Sequence, residues 1–198
     1  MGDEHRSSPA GREVLLCVTG GIACYKSAEL TSRLVQAGAG VTVAMTASAT
    51  RFVGPLTFQT LSRRGVFTSM WQAVEGYDPQ HLALTERAEV MVVAPATANI
   101  LAKMAAGIAD ELVSSLALSA WGTCPILVAP AMNTRMWEAP ATRANLEVLR
   151  ERGVAVVGPR EGYLACGVVG KGRMAEPEDI LAALVEILEK TPPKRDVR

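Results

Sequence analysis

Short apolar runs alternate along the chain with stretches of helical period. Glu13–Thr19 (EVLLCVT), Gly40–Thr46 (GVTVAMT), Ala88–Ala94 (AEVMVVA), Pro125–Ala129 (PILVA) and Val154–Val157 predict five strands. They are apolar at nearly every position, not at every second one, as a strand covered on both faces requires. Ile22–Ala37 predicts a helix with Leu30, Leu34 and Ala37 on one face. Further helices are predicted at residues 98–106, 110–120 and 141–152. Glu178–Lys190 predicts a last one, with Ile180, Leu184, Ile187 and Leu188 on its inner stripe. This alternation predicts an α/β fold: a doubly wound parallel sheet between two helical layers, Rossmann-like, three layers in all. Residues 1–11 predict a disordered arm, 12–190 a single domain and 191–198 a flexible tail.

Composition narrows the partners. Twenty basic residues balance twenty acidic ones, which gives no electrostatic reason to expect nucleic acid or an anionic membrane. Aromatics are 5% of the chain, too few for a base-stacking surface. The basic stretch Pro192–Arg195 is expected to be a solvated end. No run approaches the roughly 20 apolar residues of a membrane span. The polar start, MGDEHRSSPAG, is not a signal peptide, and Arg6 stands where a myristoylation signal has Ser or Thr. These features point to the cytoplasm, where Cys17, Cys24, Cys124 and Cys166 are expected as free thiols. With no CxxC and only His5 and His81, no metal site is expected.

In a doubly wound sheet, ligands bind beyond the carboxyl ends of the strands. There the chain carries GGIA, TASAT, PATAN and PAMN, after the first four predicted strands in turn. Gly20 and Gly21 lead into a helix start, where backbone N–H groups favour a phosphate; a plain strand-to-helix turn is equally open. The pattern is not GxGxxG, and Thr46 stands where NAD binding wants an acidic residue. There is no GxxxxGK[ST], which argues against a nucleotide triphosphatase. Thr46, Ser48 and Thr50 offer hydroxyls suited to a mononucleotide phosphate, or to a helix cap. Pro95–Asn99 supplies small residues and an amide against which a flat ring could lie, or a βα loop ending in an N-cap. In Pro130–Trp137, Met132, Met136 and Trp137 read as packing, but Asn133 is an amide that must find partners; a ligand carboxylate would suit it. Gly162–Met174 holds four glycines and Cys166, and predicts a mobile loop carrying a reactive thiol as a lid. His81 precedes the third predicted strand and could act as a base near neutral pH.

Taken together, GGIACYK, APATANILAKMAAGIADELVSS, PAMNTRMW and ACGVVGKGRM resemble the homo-oligomeric flavin-containing cysteine decarboxylases, in the right order and from about Val14 to Ile187. Cys24 stands where the family's GGIAAYK has alanine. The resemblance implies a Rossmann-like flavoprotein fold and FMN held by Gly20, Gly21, Ile22, Ala23, Thr46, Ser48, Phe52, Ala96, Thr97, Ala98, Asn99 and Ala129. It implies 4'-phosphopantothenoylcysteine as substrate, bound by Asn133, Met136, Ala165, Cys166, Arg173 and Met174. The implied chemistry oxidises the thiol-bearing carbon to a thioaldehyde, loses carbon dioxide and reduces the resulting enethiol. His81 is then the base, Asn133 the carboxylate ligand and Cys166 the acid. A homotrimer with the flavin at a subunit interface, assembling in some members to a dodecamer, is likewise implied. The same motifs leave open a peptidyl-cysteine decarboxylase or a non-catalytic regulatory flavoprotein, though intact His81, Asn133 and Cys166 argue against the latter.

Overall fold

The computed structural model describes residues 8–71, 80–165 and 167–194, and only the backbone of residues 80 and 81. The first half runs β1 (Glu13–Val18), α1 (Cys24–Gln36), β2 (Gly40–Met45), a 3-10 turn (Ala49–Arg51), α2 (Pro55–Ser62), β3 (Val66–Phe67), α3 (Gln80–Arg87), β4 (Val90–Ala96) and α4 (Ala98–Ala106). The second runs α5 (Leu112–Ser119), β5 (Ile126–Pro130), α6 (Thr134–Glu138), α7 (Pro140–Glu151), β6 (Ala155–Val156), β7 (Arg160–Tyr163), β8 (Val169–Arg173) and α8 (Pro177–Glu189). β1 to β6 form one parallel sheet in the order β3-β2-β1-β4-β5-β6. The predicted doubly wound sheet is therefore present, with its strand order reversing between β1 and β4.

Side chains of a strand alternate between faces, and here each face has its own apolar layer. Val14, Leu16 and Val18 pack with Leu30 and Leu34 of α1, Phe58 of α2, and Ile180 and Leu184 of α8. Leu15 and Cys17 pack with Leu101 and Met104 of α4, Leu116 of α5, and Leu146 and Leu149 of α7. Full burial of each Leu or Val stabilises the fold by about 1.5–3 kcal/mol. The two central strands thus need apolar residues at every position, which is why the sequence shows runs there.

Among the short elements, β6 was predicted, whereas α2, β3, α3 and α6 were not. α2 begins at the Gly54–Pro55 step but buries one large apolar side chain, Phe58. β3 pairs through two residues at the sheet edge. The mobile loop expected over residues 162–174 is corrected: β7 and β8 pair as an antiparallel hairpin, Gly162 opposite Gly170 and Tyr163 opposite Val169. Its glycines serve contact and not mobility. A Cβ at Gly170 would collide with the Thr134 side chain, and one at Gly172 (φ +146°) with the Met132 carbonyl oxygen. The expected termini also shift. Pro9 is buried, and the Gly11 N–H donates to the Gly38 carbonyl at 2.9 Å, so the expected arm ends before residue 9. The Lys194 N–H donates to Glu89 at 2.8 Å, so the expected tail is folded down at least that far. Among the described residues, no helix is long and apolar enough to cross a membrane.

Candidate active site

A cavity of about 850 Å³ opens at the carboxyl ends of β1 and β4, where the strand order reverses. Open α/β sheets place ligands at this crevice. Its deepest wall is made by strand ends tied to one another. The Thr19 hydroxyl donates to the Pro95 carbonyl at 2.6 Å and accepts from the Thr97 N–H at 3.3 Å. Ser27 donates to the Ala94 carbonyl at 2.7 Å. Gly20 lies so close to Ser48 that a Cβ on it would fall on the serine's own Cβ. Backbone is therefore presented to the cavity where any other residue would present a side chain. The Thr46 hydroxyl accepts from the Ala49 N–H at 3.1 Å, ahead of the 3-10 turn whose N-cap is Ser48, and Thr46 and Ser48 both line the cavity. Thr50 donates to the Ala47 carbonyl and does not line it.

A second wall comes from two helix starts. Thr97 caps α4 by accepting from the Ile100 N–H, which brings Ala98 and Asn99 to the cavity. Glu111 caps α5, accepting from Val113 and Ser114 at 3.2 and 3.0 Å. The third wall is α6 and the hairpin. Asn133 caps α6: its Oδ1 accepts from the Arg135 N–H at 2.9 Å. That bond fixes the amide's orientation, so Nδ2 is its donating end. The Met132 N–H donates to the Gly172 carbonyl at 3.0 Å and fastens β8 beside Asn133.

Lys26 joins the walls and was not predicted. It is 4% exposed, and its Nζ donates to the Met174 carbonyl at 3.2 Å and to Glu176 at 2.9 Å. Arg173 donates to the other oxygen of Glu176 at 2.6 Å. The Lys26 hydrogen bond, then Lys26, Arg173 and Arg160 as charges, hold the Glu176 carboxyl below its ordinary range against a partial desolvation that raises it. Lys26 could have been found from spacing, since it lies four residues before Leu30 and eight before Leu34 on the buried stripe. Lys103, also on the wall, pairs with Asp110 at 2.6 Å. The three cations lining the cavity, Lys26, Lys103 and Arg173, thus each have a carboxylate partner. A phosphate here would be held by backbone N–H groups of the Gly20–Ala23 turn and by the hydroxyls of Thr46 and Ser48, which line the same space, as at other glycine-rich helix starts. The apolar wall, with Ile22 and Tyr25 more than half exposed, suits a flat ring. The residues present therefore fit a flavin mononucleotide.

Of the predicted residues, Gly20, Gly21, Ile22, Ala23, Thr46, Ser48, Thr97, Ala98, Asn99, Asn133, Met136, Ala165, Arg173 and Met174 line this one cavity. Three expected cofactor residues do not. Phe52 follows the 3-10 turn and is 51% exposed outside the cavity. Ala96 and Ala129 end buried strands, with side chains in the two apolar layers. Cys166 lies outside the described residues. His81 is placed by backbone alone, in the first turn of α3. Cys24, with Sγ 3.1 Å from the Thr19 carbonyl, has its thiol pKa raised by burial, which removes it as a nucleophile.

Comparison with known proteins gives the same picture. A family model described as Flavoprotein matches residues 3–189. The chain is 52% identical over 170 residues to the coenzyme A biosynthesis bifunctional protein CoaBC of Bacillus subtilis (strain 168), covering 86% of this chain and 41% of that protein. It spans about two-fifths of the length of that curated relative. A solved cysteine-to-serine variant of PPC decarboxylase, complexed with pantothenoylaminoethenethiol, is similar at TM-score 0.82 and 32% identity, covering 90% of this chain and 98% of that one. The FMN-dependent cysteine decarboxylase SpaF is similar at TM-score 0.79 and 30% identity, with 92% and 98% covered.

Proposed function

This chain belongs to the flavoprotein family, and on that premise we propose that it is an FMN-dependent decarboxylase of 4'-phosphopantothenoylcysteine, yielding 4'-phosphopantetheine in coenzyme A biosynthesis. The observation that carries the proposal is the joining of two half-sites in one cavity. The Gly20–Ser48 cradle fits a mononucleotide phosphate, and Asn133 with Arg173 faces the same space. The solved PPC decarboxylase complex, matched over nearly its whole chain, supports the substrate.

When bound, FMN supplies a reversible two-electron oxidant, which lets the thiol-bearing carbon become a sink for the electron pair left by carbon dioxide. The chain's residues position and protonate. Asn133 presents Nδ2–H to the substrate carboxylate, a neutral donor that binds it without opposing its departure as carbon dioxide. Arg173, held by Glu176, closes the cavity mouth over the substrate. His81, at the start of α3, is the base that takes the proton in the oxidative half. Cys166, between Ala165 and Gly167, is the acid for the enethiol. A homotrimer, and in a larger assembly a dodecamer, belongs to the same proposal. Exposed Ile22, Tyr25 and Phe52 beside the cavity support it, because apolar side chains of that size are otherwise left in water. A cytoplasmic location is part of the same proposal.

Protein reconstituted with FMN should hold one flavin per chain, and should release carbon dioxide from 4'-phosphopantothenoylcysteine without net consumption of an oxidant. Recovery of FAD or NAD in place of FMN, or turnover confined to peptides ending in cysteine, would overturn the assignment.

A further inference from the structure

The buried carboxylate that the cavity does not use is Glu89, 3% exposed at the amino end of β4, the opposite end of the sheet from the site. Two basic residues meet it, Arg12 through its side chain and Lys194 through its backbone. Arg12 approaches Glu89 Oε1 at 2.9 Å, and the Lys194 backbone N–H donates to the same oxygen at 2.8 Å. The other oxygen accepts from the Glu13 N–H at 2.8 Å. Each cationic side chain then caps the carboxyl end of a helix. Arg12 donates to the carbonyls of Leu188, in the last turn of α8, and of Thr191, just after it, at 3.2 and 2.7 Å. Lys194 donates through Nζ to the carbonyls of Thr85 and Glu86, in the last turn of α3, at 3.2 and 2.7 Å. These carbonyls lie at helix carboxyl ends, where a cation is favourable.

α3 is also held at mid-length, where the Thr85 and Ser119 hydroxyls are 3.3 Å apart and Leu84 packs against the second apolar layer. The helix has eight residues, too few to be stable alone. Among its described side chains only Thr85 is buried, while Leu82 is 42% exposed. Arg87 adds a pair to Glu13 at 3.3 Å. Polar anchors at the carboxyl end add to this modest packing in setting where the helix lies, and its first turn carries His81.

We propose that Lys194 and Glu89 are positioning residues for α3: the segment following α8 is strapped to the helix that carries His81 and fixes the placement of that helix against the sheet. The significance of His81 rests on the function proposed above; the strap does not. The basic stretch Pro192–Arg195, expected to be a solvated end, thus has a structural role through Lys194.

Hydrogen exchange on the full chain with FMN bound, comparing wild type, Lys194→Ala and Lys194→Arg, tests this. In Lys194→Ala the amides of residues 82–87 should exchange about three- to tenfold faster, with α4 unchanged. Lys194→Arg should restore most of the protection. FMN affinity and substrate KM should stay at wild-type values, while kcat and the rate of flavin bleaching by substrate fall about tenfold. Unchanged exchange in α3, or an equal rise in α3 and α4, would overturn the strap. Raised exchange in α3 with wild-type bleaching would overturn its link to His81. A wild type inert toward the substrate would sink the proposed function alone, because the exchange measurement needs no turnover.

Discussion

The two walls of the cavity are built on opposite plans. The sheet wall stands on β1 and β4, whose residues are buried on both faces, and its threonines are bonded to the strand ends themselves. The hairpin wall stands on β7 and β8, where Gly172 is the only buried residue and Tyr163 and Val169 are 70% and 66% exposed. A lone two-stranded hairpin is marginal in water. This one is fastened at separate points: the Met132–Gly172 backbone bond, the glycine contacts beside α6, Lys171 over the Trp137 ring, the Arg160–Asp179 pair and the Glu176 ion pairs at its base. The difference teaches that the two halves of the site are energetically separable. The sheet wall cannot move without disturbing the core, whereas the hairpin can shift and leave the sheet intact. Damage to the first should appear as lost cofactor, and damage to the second as lost substrate binding.

The severest test of that separation is Gly20→Val. The new Cβ falls on Ser48, and the valine methyls enter the space where a phosphate would lie. FMN affinity should drop by about 100-fold or more, a loss near 2.7 kcal/mol. Titration of apoprotein with FMN, followed by flavin fluorescence, reads it, and circular dichroism should show the sheet intact. Affinity within about threefold of wild type would mean that this turn is not the phosphate cradle.

Gly172→Ala attacks the other wall. Its φ of +146° disfavours any side chain, and the Cβ meets the Met132 carbonyl oxygen. The hairpin should be pushed from α6, taking Arg173 away from Asn133. Substrate KM should rise about tenfold, which is about 1.4 kcal/mol of binding, with FMN affinity unchanged. Steady-state kinetics and the same flavin titration separate the two quantities. A parallel fall in FMN affinity would break the comparison, because it would make the walls one cooperative unit.

The same division governs what the sequence reveals. The sheet wall is legible because burial on both faces forces unbroken apolar runs, so the loops after EVLLCVT and AEVMVVA mark the cavity. The hairpin is not, because its strands need no apolar residues. Gly162, Gly170 and Gly172 look like flexibility, while in the fold they permit contact with Met132, Thr134 and Arg173. α3 escapes for a related reason: its anchor, Lys194, is more than a hundred residues away in sequence, and no local pattern reports such a pairing. Phe52, Ala96 and Ala129 do not line this chain's cavity: Phe52 is half-exposed outside it, and the two alanines are buried at strand ends.

The smallest expected effect comes from Lys26, the residue where the two walls meet. Lys26→Met removes the donor to Met174 and Glu176 while nearly preserving the buried volume. Glu176 keeps Arg173, so the hairpin base is loosened and not freed. The pH dependence identifies the cause. The Glu176 carboxyl is held below its ordinary value of 4.5, chiefly by the Lys26 hydrogen bond, so the unfolded chain binds its proton more readily than the folded one. The resulting stability is fully present above that ordinary value, and it is lost as pH falls through the lower folded value. Its size is modest, about 1 kcal/mol or less, since the Glu176 side chain is partly solvated and screened. Glu13, depressed mainly by Arg64, adds a slope of the same sign, but it is common to both proteins and cancels in their difference. Urea unfolding of wild type and Lys26→Met should therefore show a deficit in the variant of about 1 kcal/mol or less at neutral pH. The deficit should shrink steadily as the medium is acidified below the ordinary carboxylate range. A deficit constant across that range would show that Lys26 acts through packing alone, and that the joint between the walls is not electrostatic.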